Sequence, residues 1–275
     1  MRVFSRALLT LAVLCGWLMA YLFGASALRQ EHDQRDLYNQ LREQMATAEV
    51  KIGGPDIDPG APIALIVCPE IALRQVVVEG TDGDILRAAP GHRRDTPLPG
   101  QPGTSVIYGH ALTYGAPFGD LTALAPGDHI TVTTGQGEFQ YEVQRVRHAN
   151  DPTPSPLQKG GSRMILATAE GRGWRTGWAA DQVVYVDTIL KGDPKLGPPG
   201  RPATIDVREK AMQANPDALI PLVLWLQLLA VTAFGGTWAA RRWGRWQTWI
   251  VAVPAILATV WGITDSIGQL LPNLI

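Results

Sequence analysis

The sequence predicts a mainly β protein: a closed or nearly closed β-barrel of seven to eight strands, set between an N-terminal transmembrane helix with a stalk and a C-terminal two-helix transmembrane hairpin. Three observations predict it. Residues 62–190 are short β-branched runs punctuated by Gly, Pro and Asp, with no long helical period between them. Uncharged apolar runs flank that region, one before it and two after it. The mean hydropathy is near zero, as expected for very apolar segments averaged with an ordinary polar domain. The 24 basic and 25 acidic residues leave a net charge of -1, which gives no global attraction to nucleic acid. The partner the composition implies is a membrane.

Residues 1–28 form the expected N-terminal anchor. Ala7 to Leu28 carries no charge over 22 residues, enough at about 1.5 Å per residue to cross a hydrocarbon core of roughly 30 Å. Arg2 and Arg6 precede it and place the N-terminus on the cytoplasmic side by the positive-inside rule. A cleaved signal sequence ending near Ala25-Ser26-Ala27 is the competing reading, and the length of the run favours the anchor. Residues 29–52 read as a stalk helix, with Leu37, Leu41, Met45 and Ala48 at helical spacing; the stripe leaves self-association open. The Gly/Pro-rich stretch 53–61 reads as a linker separating stalk from domain.

Within 62–190, strands are expected at Ile63–Val67, Gln75–Val78, Ser105–Tyr108, His129–Thr134, Phe139–Val146, Met164–Thr168 and Val183–Ile189. Thr133 to Glu138 reads as a hairpin turn around Gly135 and Gly137. A second linker covers 191–218. Transmembrane helices follow at 219–240 and 247–265, joined by a cytoplasmic turn at 241–246 that holds Arg241, Arg242 and Arg245. Residues 266–275 remain as a tail. The two charge signals give one topology: three spans, the N-terminus inside, the β domain outside.

The stretch from Pro62 to Thr81, PIALIVCPEIALRQVVVEGT, is similar to the entry strands of actinobacterial class E-type sortases. The blocks Leu98-Pro99-Gly100-Gln101-Pro102-Gly103, Val106-Ile107-Tyr108-Gly109-His110 and Tyr114-Gly115-Ala116-Pro117-Phe118-Gly119-Asp120-Leu121 resemble the part of the family that holds its histidine. The resemblance implies a membrane-anchored, extracytoplasmic cysteine transpeptidase fold. In that chemistry a thiolate attacks a backbone carbonyl of a sorting signal, a histidine handles protons and an arginine stabilises the oxyanion.

His110 falls on the family histidine. The nucleophile position, 59 residues later, is Ala169 in Met164-Ile165-Leu166-Ala167-Thr168-Ala169-Glu170. A methyl group cannot attack a carbonyl. The arginine position falls on Gln182, which can donate a hydrogen bond but supplies neither the charge nor the rigid fork of a guanidinium. Further groove candidates are Glu170, which could pair with His110, Thr168 and Tyr114, with Arg172 and Arg175 as substitute cations. Cys68, in the first strand, reads as a small buried hydrophobe. His32, His92, His129 and His148 are scattered without metal-ligand spacing, so neither a metal site nor a cofactor is expected.

These substitutions imply a catalytically inactive sortase-like protein, a pseudosortase whose groove binds a peptide, such as a sorting signal, or an envelope or cell-surface protein. The alternative is an active transpeptidase or hydrolase, by unconventional groups or with Ala169 as an engineered change. The two departures at Ala169 and Gln182 together favour natural loss.

Overall fold

The computed structural model describes residues 16–18, 20–55, 57–170, 182–242 and 244–275. The chain divides into two compact units, one formed by residues 19–213 with 272–275, the other by residues 1–18 with 214–271.

The first unit is built on a closed barrel of eight strands in the order β1-β2-β3-β4-β7-β8-β6-β5. The strands are β1 (Pro62–Cys68), β2 (Leu73–Glu79), β3 (Gly91–His92), β4 (Gly103–Tyr108), β5 (His129–Thr134), β6 (Gly137–His148), β7 (Ser162–Glu170) and β8 (Gln182–Lys191). Alternation along the strands sends Ile66, Val77, Ile107, Ile130, Val132, Tyr141, Met164, Leu166 and Val186 into one buried core. The β5–β6 hairpin turns at Gly135-Gln136, and β1 pairs with β5 to close the barrel. Each strand expected from the sequence is present. The additional β3 is two residues long, too short to leave a period in the sequence.

Helix α1 (Ser26–Ala46) does not stand off the barrel as a solvated stalk. Leu41 is buried with Val50 and Val76, and Leu37, Tyr38 and Met45 pack around them. The cause is an open sheet edge. β3 reaches only Val78 and Glu79 of β2, which leaves the main chain of Val76 without a strand partner on that side. Gln34 fills the gap: its Oε1 accepts from Val76 N at 2.7 Å and its Nε2 donates to Val76 O at 3.1 Å. The Gly/Pro-rich stretch expected to hold helix and barrel apart instead buries Ile57 against the barrel core. A short helix α2 (Gly83–Leu86) follows β2.

The segment after β8, expected as a linker, is also strapped to the barrel. Arg201 donates to Glu79 Oε1 at 2.6 Å and to Thr96 O at 3.0 Å. Glu79 in turn meets His92, with Nδ1 at 3.1 Å from Oε2, and both side chains are buried. His92 Nε2 lies 2.9 Å from Pro97 O.

The second unit contains helices α3 (Leu219–Arg242) and α4 (Arg245–Gln269). Two helical spans, Pro216–Arg242 and Trp246–Gln269, are long and apolar enough to cross a membrane. Their surfaces expose Ile220, Phe234, Trp249 and Ile250, an apolar area that water would not favour. They pack closely where side chains are small: a Cβ on Gly262 would lie 2.4 Å from the Trp225 indole. α4 continues four residues past the expected end at Asp265, with Ser266 Oγ donating to Gly262 O. Most of the expected N-terminal anchor, residues 1–15 and 19, lies outside the described residues. Its last part, from Tyr21, runs as a π-helical turn into α1, and Tyr21 and Ser26 are buried in the first unit.

Candidate functional site

The site is assembled by strand register. β4 and β7 run parallel, with Gly103 opposite Ser162 and Tyr108 opposite Ala167. The offset between partners equals the separation of His110 and Ala169, so the two positions leave the barrel at the same level. β7 and β8 are antiparallel, with Ala169 opposite Val183 and Glu170 opposite Gln182. The chain therefore brings His110, Ala169 and Gln182 to one end of adjacent strands.

The turn carrying His110 is fixed from several sides. Gly109 N donates to Ala167 O at 3.1 Å, and Thr168 Oγ1 donates to Gly109 O at 2.9 Å. Thr168, expected as a groove residue, is thus a brace between the two strands. Position 109 is glycine because a Cβ there would lie 2.6 Å from the Phe118 ring. Phe118 N donates to His110 O at 3.0 Å, closing the loop. Tyr114 adopts a left-handed backbone with φ +50°, and its ring centroid sits 4.9 Å from that of His110. Ser26 Oγ of α1 accepts from Tyr114 N at 3.2 Å.

The His110 imidazole is buried. Its Nδ1 is 3.1 Å from the main-chain oxygen of Ile275 and 3.3 Å from Thr113 Oγ1. A carbonyl oxygen only accepts, so Nδ1 carries the hydrogen and Nε2 presents a lone pair. Nε2 is buried and has no hydrogen-bond partner among the described residues. Desolvation lowers the imidazole to about 4, the bond to Ile275 works against that shift, and the Arg87 charge adds to it. The ring is a neutral acceptor at physiological pH.

Ala169 is buried, on the outer face of β7, in an apolar cluster with Leu86, Tyr108, Ala111, Ala167, Val183 and Leu274. Glu170 does not pair with His110. Its Oε2 is 3.0 Å from His148 Nε2 at the end of β6, because the carboxyl points to the opposite face of β7 from Ala169. Gln182 is half-buried at the first position of β8. Arg172 and Arg175 lie outside the described residues.

Cys68 sits at the end of β1 in the barrel core, away from this cluster. Its Sγ lies 3.4 Å from Glu70 Oε2. Burial, reinforced by Glu70, pushes the thiol up to about 12, so it carries no useful thiolate fraction at neutral pH.

Two features were not recognised in the sequence: the Glu79–His92–Arg201 network and the 272–275 segment beside His110. The available signal was weak. Pro272 stops a helix and Asn273 can bind main-chain carbonyls, but neither names its target.

Residues 66–184 match the model of the Sortase domain, so the barrel of this chain is similar to that domain. Sortase D of Bacillus subtilis (strain 168) is 30% identical over 113 residues, which cover 40% of this chain and 56% of that protein. Sortase SrtE1 of Streptomyces coelicolor is 25% identical over 183 residues, covering 61% of this chain and 51% of that protein. The chain thus spans about half the length of the curated relatives it matches. Among solved structures, the Clostridium perfringens Sortase D5 transpeptidase is 24% identical with a TM-score of 0.47, over 58% of this chain and 99% of that one.

Proposed function

We propose that this chain is a membrane-anchored, extracytoplasmic pseudosortase that binds an extended peptide or an envelope protein segment without cleaving it. The observation that carries the reading is Ala169. It stands at the end of β7, level with His110, and the cysteine described elsewhere in the chain, Cys68, is buried in the barrel core and held as a thiol. Acyl transfer needs a nucleophile at that point, whereas peptide recognition needs only shape and main-chain partners. Glutamine at position 182 supports the same reading, since it cannot stabilise an oxyanion with a full charge.

Anchoring by three spans, with the N-terminus and the turn at Arg241–Arg242 on the cytoplasmic side, is supported by the charges flanking the apolar segments. The two helices α3 and α4 add apolar surface for packing within the membrane beyond a single tether. The test is equilibrium binding of a library of sorting-signal peptides to the full chain in detergent micelles. Saturable binding with every peptide recovered uncut is expected. Absence of binding to any member, also when Leu274 of the cluster around Ala169 is replaced in Leu274→Asp, contradicts the proposal.

A further inference from the structure

We infer that the groove beside His110 is held in cis by Pro272–Ile275, with Leu274 filling an aliphatic pocket, and that a peptide in trans presenting an aliphatic residue enters only when this segment leaves. The inference deepens the peptide-binding reading above and rests on it.

The segment is held through both its side chains and its main chain. Leu274 is fully buried in the cluster that contains Ala111, Ala169 and Val183. Small walls from Ala111, Ala167 and Ala169 leave room for one branched side chain. The main chain adds two bonds from the loop after His110: Ala111 N donates to Leu274 O at 2.9 Å, and Thr113 N to Ile275 O at 3.1 Å. The segment is itself a turn, closed by Ile275 N donating to Pro272 O at 3.1 Å, and its main-chain bonds to the loop are indifferent to sequence, so specificity falls to the pocket. Ile275 O also accepts from Thr113 Oγ1 at 2.6 Å and from His110 Nδ1 at 3.1 Å.

A polar anchor fixes the register. Asn273 is buried, and its Nδ2 donates to Thr81 O at 3.1 Å and Lys210 O at 3.0 Å, with Arg208 O at 3.4 Å. Asn273 N donates to Gln213 O at 2.9 Å. The buried amide ties the segment to the strap after β8 and to the loop after β2, while the barrel supplies the pocket. Because the segment belongs to the same chain, its docking is intramolecular and does not depend on the concentration of the protein. A peptide in trans must match the pocket and displace the docked segment. His110 stays half-satisfied while the segment is bound, with Nδ1 engaged and Nε2 open; the open lone pair is what an incoming donor would meet.

The experiment uses the full chain in micelles with its histidines 13C-labelled, as wild type, Leu274→Asp and the milder Leu274→Ala. Two quantities are read: the titration of the His110 ring by NMR, and binding of a fluorescein-labelled Pro-Asn-Leu-Ile peptide by anisotropy. In the wild type the ring titrates near 4 and the peptide binds weakly. In the variants the ring moves up toward the usual value of about 6.5, and the peptide binds at least about tenfold more tightly. A ring that titrates alike in all three forms overturns occupancy in cis, even if peptide binds. A ring that moves while no peptide binds leaves occupancy standing and overturns the peptide-binding reading.

Discussion

His110 donates through Nδ1 to the main-chain oxygen of Ile275 at 3.1 Å, a contact between residues far apart in the chain that excludes water from the imidazole. The bond fixes the tautomer, and burial keeps the ring neutral. This geometry has a consequence for stability.

The His110 value is depressed in the folded chain, to about 4, against about 6.5 unfolded. Between these values the unfolded state binds more protons, so acid favours unfolding. Stability from this group is present above about pH 6.5 and is lost as pH falls toward 4, by roughly 3 kcal/mol at most. Thermal melts of wild type and His110→Gln at pH 7, 5.5 and 4.5 should show a steeper acid loss in the wild type. Parallel curves would contradict it.

Arg201, Glu79 and His92 form a network in which the Glu79 carboxylate is buried. Arg201→Met takes the cation away from that carboxylate, leaving His92 as its partner, and should cost up to about 3–5 kcal/mol in chemical denaturation. Adding Glu79→Leu should recover much of the loss, because the apolar pair leaves no charge unpaired. A double variant no more stable than the single one would show that the network does more than neutralise charge.

Cys68 should resist alkylation. With the thiol at about 12, roughly one molecule in ten thousand is thiolate at pH 8. Iodoacetamide should label the folded chain only at the rate at which it opens, and denaturant should accelerate labelling sharply. Rapid labelling of the native chain would reopen Cys68 as a nucleophile.

The packing of α1 against β2 is testable through Leu41, which is 1% exposed. Leu41→Ala should destabilise the barrel unit by about 2–5 kcal/mol. A solvated stalk would lose almost nothing.

The barrel was legible because each strand carries its own record of burial: alternating or continuous apolar runs mark β4, β5, β6 and β7 without reference to their partners. The nearness of two candidate positions was legible for a related reason. His110 and Ala169 follow parallel strands in register, so their spacing in sequence repeats the register of the sheet. What stayed hidden depends on partners distant in sequence. Gln34 looks like any helix residue until the open edge at Val76 is known. Arg201 meets Glu79 across 122 residues, and a glycine-rich stretch conceals that it is pinned. Glu170 directly follows Ala169 in the sequence, but strand alternation turns it toward His148. Asn273 and Leu274 sit in four residues after an apolar helix, with no period to reveal a docking target.

The most direct test of the account is turnover of sorting-signal peptides by the full chain, beside Ala169→Cys, Gln182→Arg with Leu274→Asp added to free the groove. The account predicts no transpeptidation or hydrolysis by the natural sequence, and thiol-dependent turnover once the nucleophile and cation are restored. Peptide cleavage by the natural sequence would contradict it.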